Sequence, residues 1–284
     1  MKKILAILLV LFVASQLVFA GLVTAKELAA MTKEGEVVII SARPPADYSS
    51  KHITGAVNID HKTLYKTEGV SSMLKDPAEI AAILGEKGIN ENSKIVIYDG
   101  GSNKTAGRLY WILKYMGAKD VNILDGHIKA WMKARKPVTS KATEITPVTF
   151  TPTVDQSIYA SMDYIKANLE NPDILLVDVR SMEEFEGRNE DDNLTRKGHI
   201  PGAVQFEYSQ VFDADGVMKS KEEIGALLTE AGISADKEIV IYCATSVRAG
   251  IVFAALKDIM EFPNVKVFDG AFYEWDSKAI NPIE

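Results

Sequence analysis

Cysteine is almost missing from this chain: among 284 residues there is one, Cys243. A single thiol excludes any disulfide within the chain and any zinc site built on several thiolates. A basic excess is missing too. The net charge of −7 supplies no general field to attract nucleic acid or an anionic lipid surface, so an anionic ligand must be held by a local cluster of donors. Disorder is not indicated either, because 47% hydrophobic and 25% charged residues are the proportions of a globular protein, here long enough for two ordinary domains.

The first twenty residues differ from the rest. Lys2 and Lys3 precede an uncharged apolar run from Ile4 to Ala20, and Val18 and Ala20 suit the −3 and −1 positions of a signal-peptidase site. Residues 1–20 therefore read as a secretory signal peptide and place the mature protein in the periplasm or outside the cell. The alternative is an uncleaved anchor, since the run approaches membrane-spanning length. No cysteine follows it, which closes the lipoprotein route. In an oxidising compartment a solitary thiol is a liability unless it does chemistry or is buried as a small hydrophobe. Composition leaves both open.

Self-comparison shows two copies of one unit. Val37 to Arg43, Asp47-Tyr48, His52-Ile53-Thr54-Gly55-Ala56-Val57, Ile95 to Tyr98, Leu124-Asp125-Gly126 and Trp131 recur in order. Their counterparts are Leu175 to Arg180, Glu184-Phe185, His199-Ile200-Pro201-Gly202-Ala203-Val204, Ile239 to Tyr242, Phe268-Asp269-Gly270 and Trp275. The offset is constant at the end of the unit: 242 − 98, 270 − 126 and 275 − 131 all equal 144. Short β-branched runs alternate with amphipathic segments in each copy, the pattern of a parallel sheet covered by helices on both faces. The expected fold class is α/β. A first domain spans 21–138, a Thr/Pro/Val-rich extended linker 139–156, and a second domain 157–284. Thr24 to Glu27 and Ser220 to Glu223 fit capping boxes, and Asp76-Pro77 marks another helix start.

In such a sheet ligands bind beyond the carboxyl ends of the strands. Cys243 is the first residue beyond the buried strand ending at Tyr242, and Ala244, Thr245, Ser246, Val247 and Arg248 separate it from a helix starting at Ala249. Small residues let such a loop curl so that successive amides point to one centre, and the helix start adds partial positive charge; both favour a thiolate. A thiol sealed inside apolar packing would defeat this reading. In the first copy Asp99 replaces the cysteine and the loop is one residue longer before the shared Ala-Gly: 106 − 99 is 7, 249 − 243 is 6. A carboxylate cannot take the part of a thiol nucleophile, so that copy is expected to be silent and to wall the cleft.

At these residues the chain resembles the tandem-domain rhodaneses, the thiosulfate/3-mercaptopyruvate sulfurtransferase family, through the D-x-R and S-x-R strand ends, both H-I-x-G-A segments, the I-V-I-Y-C strand and loop, and both D-G…W closures. The resemblance implies two rhodanese-like domains, each built on a five-stranded, mostly parallel sheet flanked by helices, with the catalytic Cys in the second. It also implies Cys243 as sulfur acceptor, Ala244 through Arg248 as the loop cradling a persulfide, and Arg180 as an orienting residue for an anionic donor. No metal or organic cofactor is required; the partners are a small anionic sulfur donor and a cyanide or thiol acceptor, with no nucleic acid, and with membrane contact only through the signal segment. The loop departs from the family's C-R-K-G-V-T and C-G-S-G-V-T types, so the donor stays open, with thiosulfate favoured because clustered guanidinium groups suit a small dianion.

Two other readings compete. A cysteine-dependent phosphatase or arsenate reductase also pairs Cys with Arg, but with five intervening residues rather than the four here. A non-catalytic binding protein of the same fold would lack the thiol in both copies. His52 and His199 occupy equivalent places although only one copy has a thiol, which points to loop-fixing hydrogen bonds rather than acid–base work. Asp125 and Asp269 read as caps of the following helices, and Trp131 and Trp275 as core. Arg188 is a candidate for the cleft rim, and otherwise a solvated charge.

Overall fold

A computed structural model describes residues 21–35 and 37–284; the expected signal segment lies outside the described residues. Among these residues no helix is long and apolar enough to cross a membrane.

Each copy folds as a five-stranded parallel sheet. Across the first sheet the strands run Val57–Asn58, Val37–Ser41, Lys94–Tyr98, Asp120–Leu124, Leu22–Val23; across the second, Val204–Gln205, Ile174–Asp178, Glu238–Tyr242, Val265–Phe268, Tyr159–Ala160. The central strands Lys94–Tyr98 and Glu238–Tyr242 are buried over their last four residues, as unbroken β-branched runs require when helices cover both faces. Their terminal tyrosines do the same work in each copy: the Tyr98 and Tyr242 hydroxyls accept the amides of Ile53 and Ile200 at 3.1 and 3.2 Å. Register places Tyr242 beside Asp178 and Tyr98 beside Ser41, so both motif-bearing strand ends emerge together at the carboxyl edge.

The helix starts follow the local chemistry. Thr24 and Glu27, and Ser220 and Glu223, form reciprocal capping boxes, and Pro77 opens the helix Pro77–Glu86. Residues 142–155 carry no regular secondary structure. They are tied along the first domain by Val148 N to Gly85 O (3.0 Å), Thr153 N to Met116 O (3.0 Å) and Asp155 N to Tyr115 O (2.8 Å).

The domains meet through the helices Lys104–Tyr115 and Ala249–Ala254, which cross at Gly107 and Gly250. A methyl group on Gly250 would lie 2.3 Å from the Gly107 carbonyl oxygen, and one on Gly107 would lie 2.4 Å from the Ile251 nitrogen. Glycine is needed here for close backbone approach. Asp269 accepts the Leu74 amide at 3.0 Å and Asp125 accepts the Met218 amide at 2.8 Å; both pairs obey the repeat offset (269 − 125 and 218 − 74 each equal 144). The expected helix-capping role of these aspartates is therefore corrected, since neither following helix has a side-chain cap. Each carboxylate reaches into the opposite domain, related by a pseudo-twofold axis.

Candidate active site

Cys243 leaves the strand Glu238–Tyr242 and opens the turn that leads into the helix Ala249–Ala254. Ser246 sits in the left-handed region (φ +57°) and its hydroxyl donates to the Phe268 carbonyl of the neighbouring strand, which pins the loop's curl to the sheet. The backbone amides of residues 244–248 donate to no acceptor of the chain among the described residues. A run of such amides around a left-handed residue is an anion-binding nest.

The thiol itself is 1% exposed and belongs to the apolar core on one side. On its polar side it meets the Arg248 guanidinium: burial works against that charge, but hydrogen bonds and charge attraction from Glu184 and Cys243 outweigh it and raise the Arg248 pKa. Arg248 also forms a two-pronged ion pair with Glu184, at 2.6 and 2.7 Å. Burial would raise the Glu184 carboxyl, yet the same fork holds it below its usual range.

Over this loop lies a cleft of about 590 Å³ between the domains. Thr245, Val247, Arg248 and Tyr208 form its second-domain wall, and His61, Lys62, Lys104 and Thr105 stand among its first-domain wall. His61 and Tyr208 head matching 3-10 turns, His61–Leu64 and Tyr208–Val211, at the same offset as Val57 and Val204 (208 − 61 and 204 − 57 each equal 147). Exposed Lys62 and Lys104 add positive charge that the chain's overall balance lacks. The cleft thus gathers Lys62, Lys104 and Arg248, opposed by Asp60, beside the loop that Cys243 opens; Cys243 itself lies beneath that loop and does not line the cleft.

Two expected arginines lie elsewhere. Arg180 is fully buried: Nε and Nη2 bind the Asp178 carboxylate at 2.9 and 2.7 Å, Nη2 also reaches Gly198 O at 2.7 Å, and the guanidinium covers the Phe272 ring at 4.1 Å. With Nε and Nη2 engaged inside the second domain and the side chain buried away from the cleft lining, the expected role at the donor is corrected to that of a strand-end lock. Arg188 pairs with Glu186 in an exposed loop and does not line the cleft. His52 and His199 fix loops: their Nδ1 atoms bond Tyr48 O (2.7 Å) and Phe185 O (2.9 Å), and their rings stack on those residues. Trp131 and Trp275 are core, donating to Pro137 O and Pro282 O.

In the first copy the Asp99 carboxylate turns back into its own loop, accepting from Gly101 N (2.8 Å), Ala106 N (3.3 Å) and Thr105 Oγ1 (3.2 Å). Sequence reasoning missed His61, Lys62, Lys104 and Tyr208 as cleft residues, and Glu184 as the partner of Arg248. The equal offset of His61 and Tyr208 was the available signal for that pair, and Lys104, in the first copy's loop at the place of Val247 (247 − 104 = 143, as 249 − 106), was open to the same argument.

The rhodanese-like domain model matches residues 24–134 and 161–278. The thiosulfate sulfurtransferase of Azotobacter vinelandii is 29% identical over 259 residues, 91% of this chain and 94% of that protein. The 3-mercaptopyruvate sulfurtransferase of Escherichia coli K12 is 30% identical over 241 residues, 84% and 85% of the two chains. The crystal structure of an anaerobic ergothioneine biosynthesis enzyme from Chlorobium limicola, in complex with trimethyl histidine, superposes with a TM-score of 0.86 at 25% identity, covering 93% of this chain and 70% of that one. With two matched domains and this architecture, the chain belongs to the rhodanese family, as a tandem-domain sulfurtransferase.

Proposed function

We propose that Cys243 carries sulfane sulfur as a persulfide, taking it from a small anionic donor, thiosulfate in preference to 3-mercaptopyruvate, and passing it to cyanide or a thiol. The observation that carries the reading is the combination at one strand end: the chain's single cysteine, with Arg248 beside it, begins a loop whose amides have no acceptor among the described residues. The Cys243 thiolate attacks the outer sulfur of thiosulfate, the S–S bond breaks, and sulfite leaves with the electron pair. The resulting Cys–S–S⁻ anion is stabilised by the nest amides, and the acceptor then attacks its terminal sulfur and regenerates the thiolate. Relatives named for each donor are almost equally similar, so the preference rests on the cleft: the exposed Lys62 and Lys104 suit a compact dianion, whereas Arg248 is already paired with Glu184. We place the reaction on the outer side of the membrane, in the periplasm or outside the cell, on the strength of the apolar segment at 4–20 behind Lys2 and Lys3.

Intact-mass measurement after exposure to each donor tests this. Thiosulfate should add about 32 Da, one sulfur atom, to the parent and nothing to Cys243→Ser, whose fold should be unchanged. Equal addition to both proteins would overturn the assignment, and loading by mercaptopyruvate alone would reverse the donor preference.

A further inference from the structure

His61 stands on the cleft wall contributed by the silent domain, and a chain of hydrogen bonds fixes how its ring is protonated. Its Nδ1 lies 2.7 Å from the Tyr65 hydroxyl, and that hydroxyl accepts from Arg108 Nε at 3.1 Å. Arg108 can only donate to that oxygen, and the buried hydroxyl has no acceptor for its own hydrogen among the described residues other than His61 Nδ1, so the Tyr65 hydrogen is assigned to Nδ1 and the neutral ring carries its own proton on Nε2. Burial, helped by the nearby Arg108, Lys62 and Lys104 and opposed by Asp60, lowers the His61 pKa to about 4, so the ring is neutral near pH 7. Nε2 makes no hydrogen bond among the described residues and is not sealed from solvent, while His61 lines the cleft. Its N–H therefore opens toward the cleft.

The other end of the chain is anchored in the catalytic domain. Fully buried Arg108 binds Asp269 at 2.6 Å and the Ser72 carbonyl at 3.0 Å. Asp269 directly follows the strand Val265–Phe268, which pairs with the strand that delivers Cys243. The position of His61 over the thiol loop is thus set through an ion pair that crosses the domain boundary. In the repeat, Arg108 corresponds to Ile251 (251 − 108 = 143, as 249 − 106), so this link exists once and serves one cleft.

We propose that His61 is a donor-binding residue: its Nε2–H hydrogen-bonds an oxygen of the anionic sulfur donor while Lys62 and Lys104 supply charge, and Arg108 is its positioning residue. The first domain, silent as a sulfur carrier, then supplies part of the donor site. The proposal rests on Cys243 accepting sulfur from an anionic donor.

Single-turnover loading of Cys243, followed by mass across a thiosulfate series, separates binding from chemistry. His61→Leu should raise the half-saturating concentration about tenfold, the worth of one hydrogen bond to a charged partner, and change the limiting rate less than twofold. His61→Gln, which can place an N–H near the same point, should return the half-saturating value to within about threefold of the parent, whereas His61→Asn, too short, should not. If His61→Leu does not fold, the Gln and Asn variants carry the test. A half-saturating value in Leu or Asn within twofold of the parent overturns the role of His61. A parent that takes up no sulfur from either donor overturns the sulfur-carrier reading instead, and this proposal with it.

Discussion

Gly250→Ala should damage this protein through the contact between its domains. Gly250 lies in the helix Ala249–Ala254, where alanine gains about 1 kcal/mol of helix propensity. Against that, the added methyl would meet the Gly107 carbonyl oxygen at 2.3 Å, its carbon at 2.4 Å and the Arg108 nitrogen at 2.7 Å. These are backbone atoms and cannot swing aside. Non-bonded atoms rest about 3.5 Å apart, so the two helices must separate by roughly 1 Å. Overpacking of this kind costs about 1–3 kcal/mol, and with backbone on the far side the upper end applies, leaving a net loss of about 2 kcal/mol. For a chain of this size that lowers Tm by roughly 4–8 °C. The same separation moves Lys104, at the start of the partner helix, away from Arg248, and a shift of about 1 Å in a substrate-positioning wall costs on the order of 10- to 100-fold in kcat/KM. Gly225→Ala is the control. It lies in the helix Lys221–Glu230, where the new methyl meets only the flexible Met260 side chain at 3.4 Å. It should raise Tm by roughly 2 °C through propensity alone, with activity unchanged. A Gly250→Ala protein that melts as high as the control and keeps parental kcat/KM would refute the packing argument.

Glu184→Gln should cost about 1–3 kcal/mol at pH 7 by removing a half-buried charged partner of Arg248. Because the folded carboxyl is held below its usual range, its contribution is present above the ordinary glutamate value of about 4.3 and is lost as pH falls through the folded value. Thermal melts should therefore converge for parent and variant well below that pH; an equal gap at both ends would count against the ion pair. Arg180→Ala should lower stability by about 3–5 kcal/mol, since it strands the buried Asp178 carboxylate. In the fraction that remains folded, the half-saturating thiosulfate concentration should be parental, and a selective rise there would restore Arg180 to the donor site.

The fold was legible because it is written twice. A constant offset of 144 from Tyr98, Gly126 and Trp131 to their counterparts fixes the unit, and the unbroken apolar strands before Asp99 and Cys243 mark the central positions of both sheets. The thiol loop was legible for the same reason. What the sequence concealed was the direction of side chains at element ends. Asp178 and Arg180 are two residues apart across a strand end, where alternate side chains share a face, and that spacing pointed to the pair the structure contains rather than to a free guanidinium. Asp125 and Asp269 were recognisable as structural by their repetition. Their targets, the amides of Met218 and Leu74 in opposite domains, have no local period to betray them. His61 carried the weakest signal, because its importance comes from Tyr65 and Arg108, and the latter lies 47 residues further along (108 − 61).

The duplication also explains why one thiol suffices and why restoring a second should not create a second carrier. Both thiol-loop positions border the same cleft: Lys104 and Thr105 from one copy, Thr245, Val247 and Arg248 from the other. In the second copy the loop amides donate to no acceptor of the chain among the described residues, so an incoming sulfur anion finds donors that are not already engaged. In the first, the Asp99 carboxylate consumes two amides and the Thr105 hydroxyl, and the loop is shaped around that internal anion. Thr105 occupies the place of Arg248 (248 − 105 = 143), so the cation beside Cys243 has no counterpart. Asp99→Cys would supply a nucleophile without that cation, in a loop one residue longer. The variant should therefore gain about 32 Da on exposure to thiosulfate, one sulfur and not two, with the added mass mapped to the peptide containing Cys243. Two added sulfurs, one of them on residue 99, would show that the thiol alone defines the carrier and that the loop geometry argued here is dispensable.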